Sequence, residues 1–588
     1  MMNKKKTLKE IFAEAFVNYR KRNFKVAENF CYQILNIEPY HFDSISLLAT
    51  ICAVNNNFDK AKEFLLQAIK IEPKNVSVLN NLGTAYKELG DHTKAINYYN
   101  KILEINSNHT NAHYNLGLIF YELREIEKAR SYLQKTLEVQ PNYALAYFSL
   151  GNIYVDLKDF ENAISSYQKA IELNPNLIGA HNNLGLVFRI LNDFKNAICC
   201  YQKVIEIKPY HAGAHHNLAL AYKELGEFGK AIKSHESAIK TEPDNTIHYF
   251  YLSELKKEIL NDKLKNKIEK IIKIDNCTKS NMAYGNFLLA RYEYKKKNFT
   301  KEIDYLKKAH QYFFDYKKEK FKLGIKYCFD DVLQISKGAN INKLNNHEDY
   351  NEKPIFIIGV PRCGSTLLEK IIASGKKLIP MGEETSVLEN FFNKKVLEKQ
   401  SLNLGDLKTI RSELYEIYEN RGLISKKYEH TFTDKSLNNF FYLDLIKTIY
   451  PNAKIINCKR DHASSISSIF KNNLTELAWT HDLENIFKYF NNYLEIIENF
   501  NDVYPNFIYD LQFEKLIKNP EEESKNLMKF CELPWDKKCL QYYKRKDLIS
   551  KTASNMQIRK AIYKHSSDKY LPYKKLLNQY GKKYSWFN

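Results

Sequence analysis

Disulfide-style pairing, long apolar runs and nucleic-acid motifs are all missing from this 588-residue sequence. Its ten cysteines are scattered, with no CxxC pair and no ligand-like Cys/His cluster. That argues against a structural zinc and for a reducing compartment. Cys199 and Cys200, adjacent within a helical pattern, read as packing residues. No run approaches about 18 apolar residues, so no transmembrane helix is expected. The first residues, MMNKKKTLKEIFAEAF, turn amphipathic and charged at once and lack the apolar core of a secretory signal. A cytoplasmic protein is the expectation. Acidic charge is short as well. Asp and Glu number 69 against 89 Lys and Arg, a net charge of +20, which suits anionic ligands or surfaces. No DNA- or RNA-binding motif accompanies the charge, so nucleic acid is not the expected partner.

The length implies two or more domains at roughly 100–200 residues each. Repetition dominates the first half. Alanines stand at 27, 61, 95, 129, 163, 197 and 231, and prolines at 39, 73, 141, 175, 209 and 243, all in one 34-residue register. Leu-Gly pairs end at Gly83, Gly117, Gly151 and Gly185, with Ala219 next. Small residues let two helices approach closely, and proline closes a repeat where a helix must stop. This pattern resembles tetratricopeptide repeats, whose stacked helix pairs form a superhelix with a concave surface. The array is expected over residues 1–253, about seven repeats. A helical connector with a degenerate repeat follows over 254–345. Residues 337–353 are polar and turn-rich, a linker. From 346 to 588 strands alternate with helices, the pattern of an α/β domain with a parallel sheet. Buried strands are expected at 355–358, at 453–460 and within 506–517.

One stretch of that second half, PIFIIGVPRCGSTLLEKIIAS (354–374), carries chemistry. An apolar strand runs into a turn with Gly359, Pro361 and Gly364, and Ser365 and Thr366 open a helix. Free backbone N–H groups and the helix dipole then converge on one spot, an anion cradle. The lysine of a Walker A loop is absent and Arg362 sits inside the loop. A strand–turn–helix with a surface arginine is the competing reading.

GVPRCGSTLL, MGEETS, FTDKSLNNF, KRDHASSISS and TASNMQIRKAIY occur in the order found in sulfotransferases. The chain resembles bacterial proteins that join tetratricopeptide repeats to a sulfotransferase domain, and that domain is similar to the tyrosylprotein sulfotransferases. The resemblance implies an enzyme using 3′-phosphoadenosine 5′-phosphosulfate (PAPS) as donor, with no metal. A phosphosulfate has no γ-phosphate, so a Walker lysine is unnecessary. By the same resemblance Arg362, Cys363, Gly364, Ser365 and Thr366 hold the 5′-phosphosulfate, with Cys363 and Ser365 in place of the usual serine and threonine. Arg460 and Ser468 match the 3′-phosphate site. A salt bridge of Arg460 with Asp461 is the competing reading. Glu384 matches the base that accepts the acceptor's proton, with Glu383 its structural neighbour. Lys435 matches a lysine that stabilises the departing phosphate. Ser554 matches a serine near the bridging oxygen, and Lys569 a lysine that helps hold the donor. Phe513 stands where the family usually has tyrosine, so a contact made by that hydroxyl is lost here.

Asparagine precedes Leu-Gly or Leu-Ala at Asn81, Asn115, Asn183 and Asn217; Ser149 breaks the series. The spacing resembles the asparagine ladder of O-linked N-acetylglucosamine transferase, which grips peptide backbones. Side-chain amides can pair with any peptide main chain. Contacts between repeats are the alternative use. The expected acceptor is therefore tyrosine of a protein or peptide lying along the concave face. A carbohydrate, lipid or small-metabolite acceptor with the repeats as scaffold is a second reading. A tetratricopeptide adaptor with an inactive nucleotide-binding domain is a third. A homodimer is among the arrangements the sequence allows.

Overall fold

The 34-residue register becomes one pair of packed helices per repeat. In the computed structural model residues 7–342, 352–399, 402–424, 430–545, 559–562 and 567–587 are described. First helices begin at Leu8, Phe42, Val76, Thr110, Ala144, Ile178 and Ala212, and second helices at Phe24, Phe58, His92, Ile126, Phe160, Phe194 and Phe228. The seven register alanines, Ala27 to Ala231, are fully buried. The four repeat glycines, Gly83, Gly117, Gly151 and Gly185, make room for a ring or branched chain sixteen residues on. A Cβ on Gly83 would lie 2.7 Å from the Tyr99 ring, and one on Gly151 2.5 Å from Tyr167. Asn57, Asp91, Asp159 and Asp193 each accept a backbone N–H at the start of a second helix, the capping that satisfies an otherwise orphaned donor.

The chain divides into two compact units, Met1–Asn217 and Leu218–Asn588. Residues 254–345 thus belong to the second unit. There, helices Lys279–Lys295 and Phe299–Tyr316 pack on each other and share one apolar core with the α/β region. His310 on the second of these donates from Nε2 to the Phe470 carbonyl at 2.7 Å. Burial pushes its imidazole down to about 4, so the ring is neutral in the core.

Among the described residues six strands follow: β1 (Asn340–Asn342), β2 (Lys353–Ile358), β3 (Asn403–Asp406), β4 (Thr431–Asp434), β5 (Lys454–Lys459) and β6 (Ile508–Gln512). β1 and β3 form a small parallel pair. The main sheet has the order β4-β2-β5-β6 and is parallel throughout. Parallel strands buried on both faces read as near-continuous apolar runs, as in β2, where Pro354 to Ile358 are all buried. β4 is a strand the sequence pattern did not single out. Its residues Thr-Phe-Thr-Asp are buried along their whole length, yet too few and too polar to register as an apolar run.

No helix among the described residues is long and apolar enough to cross a membrane.

Candidate active site

All four strands of the main sheet end at one edge, and the residues that follow them converge there. Ligands in open parallel sheets bind outside the carboxyl ends of the strands. Here β2 leads to the loop 359–364, β4 to Lys435, β5 to Arg460 and β6 to Phe513.

The loop after β2 is shaped by close approach. Gly359 has φ +149°, and a Cβ on it would sit 2.8 Å from Cys363 Sγ and 2.9 Å from the Cys458 carbonyl. Arg362 takes a left-handed φ of +69°. Gly364, φ +108°, caps the helix Ser365–Ala373, and a Cβ there would lie 2.3 Å from the Phe513 ring. The first-turn N–H groups of that helix, beginning at Ser365 and Thr366, lie outside the intrahelical ladder. Cys363 is fully buried, and its backbone N–H donates to the Val360 carbonyl at 3.2 Å within the loop.

Arg362 donates from Nε to Ser468 Oγ at 3.1 Å, and Arg460 donates from Nη1 to the Arg362 carbonyl at 2.8 Å. The Arg460 guanidinium also stands 5.2 Å from the centre of the Phe513 ring. These expected donor-holding residues therefore form one connected patch. Asp461, the alternative partner of Arg460, accepts instead from the Ser464 N–H at 2.7 Å as the cap of helix His462–Phe470. Lys569 is exposed on the turn Ser567–Tyr573. Ser554 lies outside the described residues.

Beside the loop, Lys435 donates from Nζ to Glu384 Oε1 at 2.6 Å, with Glu383 Oε1 3.9 Å away. The two segments are tied by backbone: Glu384 N–H donates to the Lys435 carbonyl and Lys435 N–H to the Gly382 carbonyl, both at 3.0 Å. Gly382 must be glycine, since a Cβ would lie 2.2 Å from the Thr433 carbonyl. Glu384 holds a left-handed φ of +51°, a conformation that persists only where its surroundings over-determine it. Asp434 supplies that constraint. It accepts from Tyr418 and Ser436 at 2.7 Å, Asn439 at 2.9 Å and Thr385 at 3.2 Å. Burial works against the Lys435 ammonium, but Glu384, Glu383 and Glu369 outweigh it and hold its pKa above the usual lysine value.

Glu369 was not among the expected site residues. It is fully buried on the helix behind the loop and accepts from Thr433 Oγ1 at 2.6 Å. Burial pushes its carboxyl up to about 8 against the pull of Lys435, with Glu383 adding to the rise. A glutamate inside the apolar run LLEKIIA was the available signal.

The asparagines occupy the first helices of their repeats. Asn183 donates to Asn152 Oδ1 at 2.9 Å and Asn217 to Asn182 Oδ1 at 3.0 Å, each across to the preceding repeat. Asn115 is half-buried and Asn81 exposed.

Residues 354–537 match the model of the sulfotransferase family. Tetratricopeptide-repeat models match 43–75, 75–142, 151–188, 185–226 and 212–245. An uncharacterized protein of Aquifex aeolicus (strain VF5) is 28% identical over 328 residues, 53% of this chain and 42% of its own. Protein-tyrosine sulfotransferase A of Caenorhabditis elegans is 26% identical over 232 residues, 36% of this chain and 58% of its own. The chain thus spans about half the length of these two relatives. Among solved structures, that of MamA is 26% identical and covers 28% of this chain and 95% of its own, with a TM-score of 0.25.

Proposed function

We propose that this chain, in which tetratricopeptide repeats precede a sulfotransferase domain, moves the sulfuryl group of PAPS to an acceptor hydroxyl, and that the acceptor is tyrosine of a protein or peptide. The observation that carries the reading is the 2.6 Å pair of Lys435 and Glu384 beside a phosphate-type loop that has no Walker lysine.

The donor's 5′ end takes the helix N-terminus at Gly364–Thr366 with Arg362, and its 3′-phosphate takes Arg460 and Ser468. Charge-assisted guanidinium contacts suit both ends. Lys569 adds positive charge, and Ser554 is assigned to the bridging oxygen. In the transfer, the acceptor oxygen forms a bond to sulfur while the bond from sulfur to the bridging oxygen breaks. The acceptor's proton passes to the Glu384 carboxylate. The electron pair of the broken bond stays on the 5′-phosphate oxygen, where the Lys435 ammonium meets the growing charge. Lys435 must leave Glu384 as the phosphate charge builds, and its departure frees the carboxylate to act as base.

Glu384 rather than Glu383 is the base because it is reachable: its side chain is 34% exposed against 9% for Glu383. The tyrosine assignment draws support from relatives named protein-tyrosine sulfotransferase, and the repeats suit a protein partner. All ten cysteines are free thiols, which fits a reducing, cytoplasmic setting.

The test is incubation with sulfur-labelled PAPS, a tyrosine-containing protein mixture, and separate carbohydrate, lipid and phenolic acceptors. Label on protein tyrosine supports the proposal. Label on a non-protein acceptor alone replaces tyrosine with that class, and bound donor with no transfer leaves the adaptor reading.

A further inference from the structure

Glu369 stands on the helix Ser365–Ala373, four residues past the N-terminus that opens onto the loop after β2, or about 6 Å along the axis. Its Oε1 accepts from Thr433 Oγ1 at 2.6 Å. That hydroxyl oxygen also accepts from the Gly382 N–H at 3.2 Å. The Gly382 carbonyl takes the Lys435 N–H, and the Lys435 carbonyl takes the Glu384 N–H, both at 3.0 Å. One chain of hydrogen bonds therefore runs from the helix behind the loop, through Glu369, Thr433 and Gly382, to the backbone that carries Lys435 and Glu384. Thr433 is itself fixed at its backbone, donating to the Pro380 carbonyl at 3.0 Å and pairing with Ile355 of β2.

Packing does not call for a carboxyl here. Glu369 is fully buried on a helix whose Leu368, Ile371 and Ile372 are fully buried too. Its second oxygen, Oε2, has no hydrogen-bond partner among the described residues. An unsatisfied buried oxygen destabilises a fold, and an apolar side chain would fill the same space without that cost. The shorter contact of the Thr433 hydroxyl is with Glu369, the Pro380 carbonyl being 3.4 Å away. On one side of this bridge lie the N–H groups assigned to the donor, and on the other the base and the leaving-group cation. Transfer between them depends on their separation, and a misplacement of about 1 Å can cost roughly 10²-fold in rate.

We propose that Glu369 and Thr433 are positioning residues for sulfuryl transfer, a buried strut that sets the distance between the donor loop and the Glu384–Lys435 pair. The inference rests on the reading of that pair and that loop given above. Neither residue touches donor or acceptor. Each acts through the backbone of Gly382, which fixes where Lys435 and Glu384 stand relative to the helix that takes the phosphosulfate.

The test measures turnover at saturating labelled PAPS with a fixed tyrosine-containing protein mixture, beside calorimetric affinity for adenosine 3′,5′-bisphosphate. Thr433→Val keeps shape and removes the hydroxyl. It is expected to lower turnover about tenfold or more while bisphosphate affinity stays within about twofold. Thr433→Ser, which restores the hydroxyl, is expected to recover most of the turnover. Glu369→Gln keeps an acceptor oxygen for Thr433 and should retain most of it as well, whereas Glu369→Leu should behave like Thr433→Val. The double variant Glu369→Leu with Thr433→Val should be no slower than either alone, since both break one bond. If Glu369→Leu does not fold, the comparison of valine with serine at 433 decides by itself. Wild-type turnover in Thr433→Val, serine no better than valine, or equal loss of turnover and bisphosphate affinity overturns the inference and leaves the proposed function standing. A wild-type protein that transfers no label from PAPS overturns the proposed function, and this inference with it.

Discussion

Lys435 is held 2.6 Å from Glu384 by a backbone bridge between their own segments, Glu384 N–H to Lys435 carbonyl at 3.0 Å. Under the proposed function, the proton acceptor and the cation for the leaving group come as one unit, to be separated by the donor's charge. The pair also explains why two acidic residues in sequence are not equivalent, since Glu383 is turned toward the interior and Glu384 toward the opening.

Glu384→Gln should therefore lower turnover by about 10²–10⁴, the usual worth of a general base, while affinity for adenosine 3′,5′-bisphosphate stays near that of the wild type. Lys435→Met should lower turnover as well. Labelled transfer gives the first quantity and calorimetry the second. Full activity in Glu384→Gln together with loss in Glu383→Gln would move the base to the neighbouring residue.

Glu369 makes stability depend on pH in a stated direction. Its folded pKa, about 8, is above the ordinary glutamate value of 4.5. The folded protein therefore binds the proton more tightly than the unfolded chain between those values. Its contribution is fully present below about 4.5 and is lost as pH rises through about 8. Glu369→Gln, uncharged at every pH, should flatten the fall in melting temperature between pH 5 and 8.5. A wild-type and variant difference that does not change with pH across that range would rule the assignment out.

The loop leaves no room at Gly364. Alanine there would adopt an unfavourable φ of +108° and drive its methyl into the Phe513 ring, 2.3 Å away. Strain of this kind costs on the order of 1–3 kcal/mol. Gly364→Ala should lower the melting temperature and abolish measurable nucleotide binding. Phe513→Leu in the same protein should recover part of the stability, because the smaller side chain opens the space the methyl needs. No recovery would mean that the backbone angle alone sets the cost.

How much of this was legible before the structure differs by element. The repeats were legible because their physics is local: Ala95 and Gly83 must be small for Tyr99 to fit between two helices, and the same contact recurs every 34 residues. The loop after β2 was legible because glycines and a helix start stand close in sequence. β4 was not, because four residues, three of them polar, are buried by long-range pairing with β2. The linkage of Arg362 to Ser468 was equally out of reach, since each was assigned separately from its own motif.

The asparagines call for two pairs of substitutions, because their surroundings differ. Asn183 and Asn217 each use an amide N–H on the preceding repeat, at 2.9 and 3.0 Å. Asn152, the acceptor for Asn183, also takes the Tyr167 hydroxyl at 2.8 Å, so that bond is part of a small network between repeats. A net hydrogen bond is worth about 0.5–1.5 kcal/mol. Asn183→Ala with Asn217→Ala should thus cost about 1–3 kcal/mol by denaturant melting. If a peptide main chain also uses these amides, KM for a protein acceptor should rise beyond what lost stability explains. Asn81 is exposed and Asn115 half-buried, so Asn81→Ala with Asn115→Ala should leave stability nearly unchanged. It should raise KM for a protein acceptor several-fold if the ladder holds peptide, with no effect on a small phenol or on donor affinity. A stable Asn81/Asn115 variant with unchanged protein KM, beside a destabilised Asn183/Asn217 variant, would make the ladder a device for stacking repeats. The protein-acceptor assignment would then rest on the similarity to the tyrosine-specific relatives alone.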